Sequence, residues 1–415
     1  MTRPDSPASL NHFQAFVRRR WLDVAWLLVM LVGLAGYLLN NRGGVLCAQM
    51  GTDFRGYYSS ALIARQQGFA QVYDAAIQDE YQRLLLYRCP GDRMEAGLRV
   101  SMPYLPVFVL LFLPLTGLDF TQSYLIFTLI NVAGLALYLA RFTRAMQVPL
   151  GGLRLLQWVI CLPVLANLYL GQMNLLLVIA VGEFTLALVG GLEKCSGIWL
   201  GVMLIKPHTL ILLLPGVLVS RRWRILLGFG ASAAAILTAS LLLGGVHGLL
   251  ESSQLAARFA GPLIQTAPTM MNWRGLALNL ASFLPSGIAW GTAVVGMILT
   301  LGVVLYLWLS RPGGSPARWV LLILATYAGT CAVTWHAHFY LLMPLIPLLA
   351  YLDGRRLLPS GVLAAWLLAP PLVYVLIYQL IPSLARNGFG MGMLALDLLL
   401  LAWATATLRR SHPLA

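Results

Sequence analysis

The stretch IWLGVMLIKPHTLILLLPGVLV, residues Ile198–Val219, decides how this chain is read. It is apolar over the roughly 20 residues that a helix needs to cross a hydrocarbon core, and a single lysine, Lys206, interrupts it. Comparable runs recur from Trp21 nearly to the end of the 415 residues. Hydrophobic residues make up 59% of the chain and charged residues 10%, against roughly 25% charged in a typical soluble domain. The soluble classes are excluded, and the sequence predicts an all-α, polytopic membrane protein forming one domain over residues 1–415.

Twelve candidate spans emerge: Ala25–Leu39, Pro103–Leu118, Tyr124–Arg141, Leu155–Leu170, Leu175–Val189, Ile198–Val219, Ile225–Leu243, Ile288–Leu309, Trp319–Val333, Phe339–Leu352, Leu357–Ile381 and Met391–Leu408. Several fall short of a full crossing, which points to tilted, broken or re-entrant segments. The stretch Arg18–Asn40 imitates a signal peptide but lacks a small-residue cleavage site, and it reads as a retained first helix. No internal repeat is visible, which argues against inverted-repeat transporters.

The formal charge is +14. Its basic residues form short clusters between apolar runs rather than one patch, so they read as topology signals and not as a nucleic-acid surface. Arg and Lys concentrate in cytoplasmic loops, and with twelve spans Arg18–Arg20, Arg221-Arg222-Arg224, Arg311 with Arg318, Arg355-Arg356 and Arg409-Arg410 share one side. Both termini are then cytoplasmic. Arg141, Arg144 and Arg154 fall on the other side, so the region Pro103–Lys194 is where the count is weakest.

In that orientation residues 41–101 form an extracytoplasmic loop holding six of the fourteen acidic residues. Within it, Tyr57–Gly68 and Ala75–Leu86 show the spacing of amphipathic helices lying flat at the interface. A second outer segment covers residues 244–287. Cys161, Cys195 and Cys331 read as small buried residues, whereas Cys47 and Cys89 flank the outer loop and have the option of pairing there.

Polar residues set against this background are the candidates for chemistry. Asp53 lies between Gly51 and Gly56, just outside the first helix, and reads either as a general base for an acceptor hydroxyl or as a loop carboxylate paired with Arg55. Tyr57 follows on the same stretch. Lys206, before the helix-breaking Pro207 and His208, reads as a phosphate ligand or as a snorkelling side chain. Gln172 and Asn174, beside Gly171, either line a cavity or join helices. Tyr104 and Pro106 fit an aromatic belt and a helix start. Trp335, His336 and His338 offer proton transfer or phosphate contact, and histidines two apart on a helix face different ways, against a metal pair. Asn272-Trp273-Arg274 places an Arg fork for a phosphate beside an indole able to stack on a sugar. Interfacial anchoring is the competing account of both clusters. No Gly-rich phosphate loop, Cys/His metal cluster or serine elbow is present in the sequence.

Taken in order, Asp53 in the first outer loop, Gly171-Gln172-Met173-Asn174, Lys206-Pro207 and Trp335-His336 resemble glycosyltransferase family 87, the polyprenyl-phosphate-mannose-dependent mannosyltransferases of the GT-C membrane fold. The likeness runs from about Asp53 to Tyr340. It implies an inverting hexosyl transfer, with mannose the expected sugar, from a polyprenyl-phosphate-linked donor to a glycolipid or glycan acceptor at the outer face of the plasma membrane, the inner membrane of a two-membrane cell. By that likeness Asp53 is the base, and Lys206, His336, His338 and Arg274 are the donor phosphate and sugar contacts. Arg55, Tyr57, Tyr104, Gln172, Asn174, His208, Asn272, Trp273 and Trp335 are cavity-lining candidates. Asp53 is followed by Phe54 and Arg55 rather than by a second acid, which implies a reaction without metal or other cofactor. The partners expected are the donor, the acceptor and membrane lipids. A transporter or flippase of a lipid-linked sugar is the competing class, and a noncatalytic scaffold a third.

Overall fold

A computed structural model of the chain describes residues 20–32, 51–86, 100, 102–148, 150–260, 269–310, 314–376 and 382–410. The expected pairing of Cys47 with Cys89 lies outside these residues. The α-helices, in chain order, are α1 (residues 20–32), α2 (Thr52–Gln67), α3 (Ala75–Leu86), α4 (Phe120–Ala145), α5 (Gly152–Val159), α6 (Leu162–Leu170), α7 (Asn174–Val189) and α8 (Glu193–Val202). They continue as α9 (Leu213–Val219), α10 (Trp223–Ala260), α11 (Trp273–Leu280), α12 (Ser286–Leu309), α13 (Pro316–Val333), α14 (Ile346–Gly354), α15 (Ser360–Val375) and α16 (Pro382–Arg410). Among the described residues there is no strand, and a single bridge joins Met270 to His338. The expected all-α membrane architecture is thus present.

Five helical stretches are long and apolar enough to cross a bilayer: Phe120–Ala145, Trp223–Ala257, Ser286–Leu309, Pro316–Val333 and Gly388–Arg410. The pair α5 and α6, bent by 47° at its junction, makes a sixth if it is one span. Pro163 sits at the start of α6, where its missing N–H costs no helical bond. The remaining apolar helices, such as Asn174–Val189, are shorter.

Two of the expected spans are corrected. Pro103–Leu118 is not a crossing α-helix but a pair of 3₁₀ helices, Pro106–Leu111 and Leu113–Gly117, each opening on a proline. Both of its ends touch α2: the Tyr104 hydroxyl lies 3.3 Å from that of Tyr57, and the Leu118 carbonyl accepts a 2.7 Å bond from Tyr58. The segment leaves α2 and returns to it. Ile198–Val219, in turn, is a hairpin. Lys206 has φ −137° and ψ 80°, the extended conformation that a following proline favours, and the chain reverses there. At the base of the hairpin Arg222, just past α9, meets Glu193 at the start of α8, at 2.8 Å. Lys206 therefore stands at an apex rather than in the middle of a span.

These two corrections restore the charge pattern. Removing the first crossing places Arg141, Arg144 and Arg154 with the other basic clusters, and the hairpin restores the count beyond it. Arg154 pairs with Asp23 of α1 at 3.1 Å and with Asp353 at 3.6 Å, next to Arg355 and Arg356. The molecule thus has a basic end and, opposite it, the end where Lys206 stands.

The base of the hairpin is seated by glycine. α8 and α10 run side by side, and a Cβ added at Gly197 would lie 2.0 Å from the Ile225 carbonyl oxygen. One at Gly201 would lie 2.5 Å from the Ser232 side chain. α10 itself continues beyond the expected end at Leu243, changing direction at Gly245 (φ 65°), so the second outer segment begins inside a helix.

α2 also departs from expectation. Rather than lying flat with one wet face, it is buried along most of its length, from Phe54 through Ala64. Its Phe54 packs among Phe112, Phe120, Tyr124 and Phe127 with ring centroids 5.0–6.2 Å apart. Cys161 and Cys331 are buried as expected, whereas Cys195 is exposed on the first turn of α8.

One buried group stands apart. Both carboxyl oxygens of Asp397, on α16, lack a hydrogen-bonding partner among the described residues, as does the neighbouring Tyr327 hydroxyl on α13. A buried polar group left unpaired costs about 1–3 kcal/mol. Asp397→Leu is expected to stabilise the protein by an amount of that order, read as a higher midpoint of thermal unfolding in detergent; a lower midpoint would mean the carboxyl is satisfied.

Candidate active site

Four segments converge at the end opposite the basic one: the N-terminus of α2, the turn at residues 171–174, the apex at Lys206 and the stretch from Thr334 to Tyr340. Two glycines let the first two meet. Gly51 is left-handed (φ 68°), and its N–H donates to the Tyr169 carbonyl at 2.8 Å. Gly171 ends α6 at φ 73°, a conformation costly for any residue with a Cβ. A Cβ there would also lie 2.4 Å from that of Phe54, so the turn sits directly against α2.

This contact brings Asp53, in the first turn of α2, to Gln172. The Gln172 amide nitrogen donates to the Asp53 carboxylate. Its carbonyl oxygen accepts from Lys206 Nζ at 2.7 Å and from the Tyr57 hydroxyl at 3.1 Å. The lysine fixes which way the amide points, since the flipped form would set N–H₂ against ammonium. Lys206 is buried and makes its second bond to Asn174 Oδ1 at 2.8 Å. Its ammonium lies 5.5 Å from the centroid of the Tyr340 ring. Both hydrogen-bond partners of this side chain are neutral amides; burial opposes its charged form and the nearby Asp53 carboxylate favours it.

Asp53 is half-buried. Burial pushes its carboxyl above the ordinary carboxylate range, opposed by the Gln172 hydrogen bond and by the charges of Lys206 and Arg55. Arg55, the expected alternative partner at the surface, is buried in the packing of α2 and acts on Asp53 through its charge. Arg55 lies close enough to favour the charged carboxylate.

The late cluster closes the other side. His336 and His338 have ring centroids 4.7 Å apart, and His338 stacks on Tyr340 at 5.4 Å. The Trp335 ring meets His208 at 5.7 Å. Burial pushes His338 down to about 4 and His336 well below its ordinary range, helped by the neighbouring charges and imidazoles. Burial thus favours the neutral imidazole in both, a form that can donate or accept a hydrogen bond without adding positive charge. Arg274 donates to the Trp335 carbonyl at 3.1 Å. Asn272 caps α11 through Gly275 N–H at 2.6 Å and donates to the Thr334 carbonyl at 3.0 Å.

The expected sugar-stacking role of Trp273 does not fit this arrangement. Its indole turns away into the bundle, against Gly296, and donates to Thr300 on α12 at 3.0 Å. Tyr104, expected in an aromatic belt, is instead buried beside Tyr57. Sequence reasoning missed Tyr340, whose ring underlies Lys206, and Thr269, whose hydroxyl lies 3.0 Å from His338 Nδ1. Tyr340 had a signal, standing in the same run as both histidines, whereas Thr269 had none. Among the described residues no three His, Cys, Asp or Glu side chains gather as a metal site would require.

At the end opposite its basic clusters, the apolar helical bundle thus holds a carboxylate and a buried lysine joined by one amide. The sequence pattern of glycosyltransferase family 87 matches residues 103–331, a little over half of the 415-residue chain, and the chain belongs to that family. The matched region includes Gln172, Asn174 and Lys206, while Asp53 and the Trp335–Tyr340 run fall outside it. No curated protein and no solved structure matches the chain.

Proposed function

We propose that this membrane glycosyltransferase moves a mannosyl or related hexosyl residue from a polyprenyl-phosphate donor to a glycolipid or glycan acceptor. The reaction takes place at the extracytoplasmic end of a GT-C-like bundle in the plasma membrane. The acceptor O–H gives its proton to Asp53 as its oxygen attacks the anomeric carbon, and the bond from that carbon to the phosphate oxygen breaks. The electron pair leaves on the phosphate, where Lys206 neutralises it, with His336, His338 and Arg274 as hydrogen donors around it. The displacement inverts, so a β-linked donor gives an α-linked product, and it proceeds without metal or cofactor. The gathering of the basic clusters at one end supports a cytoplasmic location for that end and for both termini.

The observation that carries this reading is Gln172, whose two ends hold a base and a cation a single amide apart. It is tested by assaying transfer of labelled sugar from polyprenyl-phosphate-mannose to membrane lipids by the purified protein. Product establishes the donor class; its absence, with a nucleotide-sugar active instead, removes the proposal.

Gln172 also sets a pH dependence. Transfer requires ionised Asp53, so activity rises as pH rises through the carboxyl pKa. The Gln172 bond favours the ionised form; without it that pKa climbs further. Gln172→Leu is expected to move the acidic limb of the pH–rate profile to higher pH, and an unmoved limb would detach Gln172 from the base.

A further inference from the structure

A cleft of about 600 Å³ opens between α12 and α16, on the membrane-facing side and away from Asp53 and Lys206. Both helices pack on α13, and small side chains on α16 leave a gap between them. Leu299 and Val303 form one wall, Ala402 and Ala406 the other. Toward the site end the indole of Trp273 closes it against Gly296 and Thr300. At the basic end its mouth is formed by Arg409 and Arg410, the last residues of α16.

The dimensions match one leaflet. From Leu398 to Arg409, both lining the cleft, eleven residues rise roughly 16 Å at about 1.5 Å each, and half a hydrocarbon core is roughly 15 Å. The charge is also specific. Both arginines are exposed, and no carboxylate among the described residues pairs with either. The Arg409 guanidinium lies 5.1 Å from the Tyr306 ring centroid on α12. That stacking holds it across the mouth and leaves its N–H edge for phosphate oxygens.

We propose that this cleft binds one anionic phospholipid of the leaflet at the basic end, an acyl chain lying between α12 and α16 and the phosphate held by Arg409 and Arg410. A polyprenyl-phosphate would need its phosphate at the opposite end, beyond Trp273. The site is independent of the reaction read above.

The test is native mass spectrometry of the full-length protein in neutral detergent, titrated with phosphatidylglycerol and phosphatidylcholine of matched chains. Wild type is expected to retain phosphatidylglycerol about 30-fold better, as two arginines near an anionic headgroup would give. Arg409→Gln with Arg410→Gln, at exposed positions that leave the fold intact, should erase the preference. Ala406→Trp, which fills the cleft, should lose both lipids while eluting as a single species. Equal retention by wild type, a preference that survives the arginine pair, or displacement of phosphatidylglycerol by polyprenyl-phosphate would each overturn the proposal.

Discussion

Asp53→Asn is expected to lower sugar transfer by roughly 10²–10⁴-fold, the usual contribution of a positioned general base, with donor affinity unchanged. Asparagine is nearly the same size and can still accept a bond from Gln172, so the packing around Phe54 and Gly171 is preserved. What disappears is the carboxylate that takes the proton in the proposed reaction. Burial lifts the carboxyl pKa while the Gln172 bond and the charges of Lys206 and Arg55 pull it back down, and a raised carboxylate is the stronger proton acceptor. Transfer rates and donor binding by the purified variant, measured together, decide the matter. Full activity in Asp53→Asn would take the residue out of the mechanism.

Lys206→Met is expected to reduce transfer by about 10²–10³-fold and to weaken donor binding, because charge developing on the leaving phosphate would lose its buried cation. Methionine keeps the unbranched shape, and Tyr57 still donates to Gln172 at 3.1 Å. The substitution therefore isolates the charge more than the packing. Lys206→Arg is the companion variant: its planar fork cannot reproduce a point charge seated between two amide oxygens, so little recovery is expected. Unchanged donor affinity in Lys206→Met would return the lysine to a snorkelling role. A thermal unfolding curve for each variant separates lost chemistry from lost fold.

Much of this architecture can be read without coordinates, because apolar runs of this length have few structural solutions. The errors share one cause: composition reports how apolar a segment is, not where its two ends go. Pro103–Leu118 is as apolar as a crossing helix, and only Pro103, Pro106 and Pro114 hint that it cannot form one. Ile198–Val219 has the length of a span but folds back at Lys206-Pro207, and the meeting of its ends through Glu193 and Arg222 is a contact no local pattern reveals. The misplaced arginines were the sequence's own sign of both errors. At the site, Asp53, Gln172, Asn174 and Lys206 were legible because polar groups in an apolar chain are conspicuous. Trp273 was misread because its neighbours Asn272 and Arg274 face the Trp335 turn while its own indole faces α12.

The tight seat of α8 on α10 makes the chemistry answerable to the far face of the membrane. Gly197 lies nine residues before Lys206, about 14 Å along a helix, toward the basic end of the molecule. Adding a methyl there collides with the Ile225 backbone, and the helix can relieve the overlap only by sliding or tilting. The hairpin is then a lever with its fulcrum at the basic end and its tip at the ammonium. A displacement near 1 Å at such a tip is enough to cost about 10²-fold in rate. Gly197→Ala is thus expected to lower transfer in an assay although Asp53, Gln172 and Lys206 are all intact; wild-type turnover in that variant would show that the tip moves freely of its base.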